Sequence, residues 1–199
     1  MVSRKRLVIG ISGASGAILG IELLKQIRQF AEWETHLLLT SGARRTIQLE
    51  TSYTIKQVEA LATTVHKLGD VGASVASGTF KTAGMVIVPC SMKTLAGVAS
   101  GFSENLLLRA ADVTLKERRT LVLVPRETPL SRIHLRNLLT ASEAGALILP
   151  PMVAYYNNPA NVQAMTKQIV CKILDVFEIS PPDFYRWGET LAREGAEPE

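Results

Sequence analysis

The chain has 199 residues, 47% hydrophobic and 20% charged, with a formal net charge of +4 from 22 basic and 18 acidic side chains. That balance fits one soluble globular domain with a full-sized core and excludes disordered and membrane classes. No apolar run approaches the ~18 residues of a membrane helix, and 6% aromatic content with no interleaved basic stripe argues against nucleic acid, leaving small anions as the partners that suit the charge.

In chain order, residues 7–11 form a short branched apolar run, charged before and glycine-rich after, as in a strand buried on both faces. Residues 17–30 carry apolar side chains at helical spacing through Ile18, Ile21, Leu24 and Ile27. A strand follows at 35–39, helices at 41–50 and 55–62, and a weak strand beginning at Val65. Residues 69–82 are rich in small residues and take no assignment, whereas 85–88 is a buried strand stopped by Pro89. Helices at 95–100 and 105–118 precede a strand at 121–124 that Pro125 stops. The pattern closes with a helix at 132–144, a strand at 146–149 and an amphipathic helix at 162–177. This alternation predicts a doubly wound, Rossmann-like α/β fold: a parallel sheet with helices on both faces, one domain over 1–188 and a polar tail over 189–199.

Between the first strand and helix lies Gly10-Ile11-Ser12-Gly13-Ala14-Ser15-Gly16-Ala17. Its glycines allow close backbone approach, and the helix start offers amides and a positive dipole end, so an anion seat is expected there. The bland reading is a tight turn with a serine cap. The glycine spacing does not match the dinucleotide fingerprint. In open α/β sheets ligands sit beyond the carboxyl ends of the strands. Those ends carry Ser12 to Ser15, Thr40-Ser41, Ser91-Met92-Lys93-Thr94, Arg126-Glu127 and the segment leading to Tyr155-Tyr156. Such convergence points to one anion site. Cys90 and Cys171 lack metal-ligand spacing and read as reduced thiols, Cys90 more simply as a small buried side chain than as a nucleophile. His36, His66 and His134 share no spacing and read as structural or exposed. Arg4-Lys5-Arg6 precedes a run too short for a secretory leader, so a cytoplasmic location is expected.

With Leu49-Glu50-Thr51, Pro89 to Leu95, Arg109 to Val113, Leu115 to Arg119, Val124 to Leu130, Ile133-His134-Leu135 and Pro150-Pro151, the chain resembles the UbiX-type flavin prenyltransferases nearly end to end. These enzymes also carry the older name phenylacrylic acid decarboxylase. The resemblance implies joining a dimethylallyl group from dimethylallyl phosphate to N5 and C6 of reduced FMN, without a metal. The product is prenylated FMN for UbiD-type decarboxylases. It further implies a homododecamer with the flavin at subunit contacts.

Carried over by position, the resemblance puts Gly13, Ala14, Ser15, Thr40, Ser91, Met92, Lys93, Thr94 and Arg126 on FMN. Arg109, Lys116, Tyr156 and Lys172 would hold the prenyl phosphate, and Ser15, Glu50 and Glu127 would handle protons, with Lys116 catalytic through the charge it offers the leaving phosphate. Simpler readings stand beside these: an Arg109–Asp112 pair at i, i+3, Lys116 favouring a helix C-terminus, Glu50 at a helix end on the surface, and Tyr156 as an amphipathic core aromatic. Lys172 stands where the family has arginine, reducing a two-point phosphate contact to one, and Thr40-Ser41 replaces Ser-Lys. Two alternatives are a flavin carrier without chemistry and a cysteine-type FMN-dependent decarboxylase.

Overall fold

A computed structural model describes residues 4–182 and 184–188, so the expected tail over 189–199 lies outside the described residues. Six strands form one parallel sheet in the order β3-β2-β1-β4-β5-β6: β1 (Lys5–Ile11), β2 (Trp33–Leu39), β3 (Thr64–His66), β4 (Gly84–Cys90), β5 (Thr120–Pro125) and β6 (Leu147–Ile148).

Side chains alternate across a strand, so each run of branched residues feeds two cores at once. From β1, β4 and β5 one core takes Leu7, Ile9, Ile11, Val86, Val88, Val122 and Val124. The other takes Val8, Met85, Ile87, Leu121 and Leu123. Helices α1 (Ala17–Ile27), α2 (Ser41–Glu50), α3 (Ile55–Glu59) and α7 (Val162–Asp175) cover the first face. On the second lie α4 (Met92–Ser100), α5 (Leu106–Lys116) and α6 (Arg132–Glu143). Fully burying one such side chain contributes roughly 1.5–3 kcal/mol, which explains why these strands read as continuous apolar runs. No helix among the described residues is long and apolar enough to cross a membrane.

Several elements depart from the expectation: α3 ends at Glu59 rather than 62, and α4 starts at Met92 rather than 95. Pro89 does not stop β4, which runs to Cys90 with a cis Val88–Pro89 bond. Proline lacks only the donor, and its carbonyl still accepts the Ser12 amide at 3.2 Å. Helix α1 ends at Ile27, short of Phe30, as residues 28–30 turn toward β2. The unassigned stretch holds a 3₁₀ turn, Ser74–Ala76, pinned from below by arginines: Arg109 Nε donates to Ala76 O and Arg119 to the carbonyls of Gly78 and Phe80.

The histidines are structural, as read. His36 on β2 and His66 on β3 share a hydrogen bond of 2.9 Å, and Ser131 and His134 form a capping box that starts α6. Burial, then the neighbouring His66, presses the His36 imidazole down to about 4.

Candidate functional site

Strands β1 and β4 are neighbours, but the chain leaves them into opposite helical layers. Their loops therefore diverge and open a crevice at the carboxyl ends. A cleft of about 470 Å³ lies there, lined by Gly13, Thr40, Gly42, Ser91 to Thr94, Asn105 and Glu127, with Leu68, Leu107 and Leu108 as its apolar wall.

Local chemistry shapes each lip. A Cβ on Gly13 would lie 2.8 Å from the Gly42 Cα, so the loop after β1 and the start of α2 touch backbone to backbone. Thr40 caps α2 by accepting from the Ala43 amide at 3.0 Å. Ser91 caps α4 by accepting from the Thr94 amide at 3.3 Å and sharing a 3.1 Å hydrogen bond with its hydroxyl. Because that cap takes the Thr94 amide, the first-turn amides of Met92 and Lys93 remain for an anion, with the Lys93 ammonium beside them. An apolar wall of leucines and a helix start free to bind phosphate fit a flavin mononucleotide.

One expectation needs correction. The start of α1 is not an open anion seat, because the Glu50 carboxylate occupies it, accepting from the Gly16 amide at 2.8 Å and the Ala17 amide at 3.2 Å. No serine caps this helix: its N-cap is Gly16, in the left-handed region at φ 97°. Partial burial of Glu50 would raise its affinity for protons. The Ser15 side chain, the two amides and Arg126 outweigh that and hold it below the ordinary carboxylate value. Ser15, Glu50 and Arg126 thus form one charged cluster beside the cleft. Glu127 lines the cleft and accepts from the Thr128 amide at 3.0 Å. The Ala14 amide bonds Ser12 O at 2.9 Å, tightening the turn.

The four residues expected on the prenyl phosphate do not converge within one chain. Lys116 lies in the last turn of α5, away from the cleft, paired with Glu117 at 2.6 Å. Arg109 is committed to Asp112 at 2.7 Å and to Ala76 O, which is the simpler of its two readings. Tyr156 and Lys172 do meet, lining a separate cavity of about 290 Å³ with Gln168 and Phe184. Lys172 also reaches Asp175 at 3.4 Å.

Sequence reasoning missed several contributors, Leu107 and Leu108 among them. Asn105 caps α5 by accepting from the Leu107 and Leu108 amides, and an asparagine before an apolar helix was a legible signal. Leu68 and Gly42 join the cleft only through tertiary approach, which no local pattern carries. Cys90 is buried, and burial pushes its thiol up to about 12, so it is inert. Among the described residues no group of three or more metal-ligating side chains occurs.

Comparison with known proteins extends this geometry. The Flavoprotein family model matches residues 1–178. The flavin prenyltransferase UbiX of Escherichia coli K12 is 50% identical over 185 residues, covering 92% of this chain and 98% of its own. AnUbiX (PadA1), solved with FMN and dimethylallyl pyrophosphate, superposes with a TM-score of 0.91 at 49% identity, covering 93% of this chain and 98% of its own. A dodecameric FMN-dependent UbiX-like decarboxylase from E. coli O157:H7 gives 0.90 at 48% identity over 92% and 98%. With its fold and half its residues shared across nearly the full length, the chain belongs to the UbiX-like flavin prenyltransferases of the flavoprotein family.

Proposed function

We propose that this chain transfers the dimethylallyl group of dimethylallyl phosphate to N5 and C6 of reduced FMN, releasing phosphate and producing prenylated FMN for a UbiD-type decarboxylase. The observation that carries the reading is the pairing, on one rim, of a helix start suited to phosphate with a Ser15–Glu50–Arg126 cluster.

In this reading the α4 amides and Lys93, with Ser91 and Thr94, hold the FMN phosphate, and Gly13, Ala14, Ser15, Thr40 and Arg126 border the rest of the flavin. When N5 is alkylated it loses a proton, and closing the ring at C6 releases another. One proton leaves with phosphate and the other passes to the prenyl chain as its double bond is consumed. Glu50 is held as a carboxylate, which suits it to accept a proton; Ser15 relays it, and Glu127 serves the second transfer. Breaking the allylic C–O bond builds charge on the leaving phosphate, which Lys116, Arg109, Tyr156 and Lys172 stabilise. Because these groups are scattered in one chain, the clamp is completed by a second copy, in keeping with a dodecameric relative. The setting is the cytoplasm, where thiols such as Cys90 and Cys171 stay reduced.

Anaerobic incubation with reduced FMN and dimethylallyl phosphate, followed by mass analysis of the extracted flavin, should yield a five-carbon adduct. Unchanged FMN would instead make the protein a carrier. Glu127→Gln and Ser15→Ala should lose the adduct while keeping FMN; full activity in both overturns the proton-handling roles.

A further inference from the structure

Ser12 directly follows β1, one residue before the cleft residue Gly13, and is only 1% exposed. Its hydroxyl donates to Pro89 O at 2.9 Å and accepts from the Ser91 amide at 2.7 Å. Its own amide donates to the same Pro89 carbonyl. The hydroxyl's one proton and one of its lone pairs are thus engaged inside the protein before any ligand arrives.

What it joins gives the contact its meaning. Register pairing of β1 with β4 runs from Leu7↔Gly84 to Gly10↔Ile87 and no further. Beyond it, among the described residues, the hydrogen bonds linking the loop after β1 to the start of α4 are those of Ser12. One loop carries Gly13 to Ser15 and the other carries the first turn of α4. Resting on the flavin reading above, these are the seats for the ring and for the phosphate of a single molecule. A ligand held at two points gains affinity only where the spacing between the seats is fixed in advance.

We propose that Ser12 is a positioning residue that sets this spacing, coupling the phosphate seat to the ring seat so that FMN is held at both ends at once. Removing the hydroxyl orphans the Ser91 amide at the cap of α4 and lets that helix start shift relative to Gly13.

Riboflavin, which lacks the phosphate, separates this role from general damage. In the wild type, FMN should bind more tightly than riboflavin. In Ser12→Ala the Kd for FMN should rise roughly tenfold, the scale of a lost buried hydrogen bond, while that for riboflavin changes less than about twofold. Ser12→Cys, which keeps the volume with a weaker donor and acceptor, should fall between and serves if Ser12→Ala does not fold. In the ligand-free protein, amide hydrogen exchange at Ser91 should accelerate in Ser12→Ala while that at Ala14 does not. Equal weakening of both flavins, or no change in either, overturns the proposal. A wild-type protein that binds neither flavin overturns the flavin reading instead, and Ser91 exchange then decides the tether by itself: unchanged protection sinks it.

Discussion

The cleft proposed for flavin and the residues proposed for the donor phosphate are built by different means. Gly13, Thr40, Ser91 to Thr94 and Glu127 of the cleft sit within a few positions of β1, β2, β4 and β5, so the sheet that buries those strands also aligns their loops. Clamp residues come from the end of α5, the segment after β6 and the outer side of α7, and one chain holds them in separate places. A seat made of strand ends is complete when the domain folds. One made of helix surfaces is, in the function proposed above, completed by a second copy.

Breaking this contrast starts with the largest effect. Glu50→Gln keeps the shape of the α1 cap but removes its charge, so the transfer rate should drop on the order of 10²–10⁴-fold with FMN still bound, checked by single-turnover flavin mass analysis. Lys116→Ala should raise KM for dimethylallyl phosphate about 10- to 100-fold, the scale of one lost charge-assisted contact, with flavin affinity unchanged by fluorescence titration. A parallel loss of flavin affinity would erase the distinction. Gly13→Ala should do the reverse: the new methyl meets Gly42 backbone, which cannot give way as a side chain would, so FMN binding weakens and thermal stability falls by about 1–3 kcal/mol.

Acid should produce the smallest effect near neutral pH. Since His36 is pressed down to about 4 from 6.5, the unfolded chain binds more protons across that window. Stability is therefore full above about pH 6.5 and declines toward pH 4, by on the order of 3 kcal/mol for a 2.5-unit displacement. The His36–His66 contact joins β2 to β3, two residues before the cleft residue Leu68, so flavin affinity should follow. A melting temperature flat from pH 7 to 4.5 would contradict this.

How much of this was legible follows from where each signal lives. Branched runs at Leu7, Val86 and Leu121 announced a sheet buried on both faces, and Ser41 to Glu50 was bounded correctly because Thr40 is a cap. The rim residues could be grouped because topology alone gathers strand ends. What stayed hidden depended on approach in space. Glu50 lies 33 positions after Ala17 in the chain, with no local pattern linking the two, yet its carboxylate fills the start of α1. Pro89 misled because its missing donor was visible and its working carbonyl was not. Lys116 was assigned by position, and only the fold revealed that its own cleft is out of reach.

The central claim is that each chain carries its own flavin seat and receives donor-phosphate contacts from a neighbour. Mixing Glu50→Gln protein with Lys116→Ala protein, after dissociation and joint reassembly, tests it most directly. Sites pairing an intact Glu50 with a neighbour's intact Lys116 should restore prenyl transfer to about a quarter of the wild-type level in a random mixture. Activity no higher than the average of the two separate variants would contradict it.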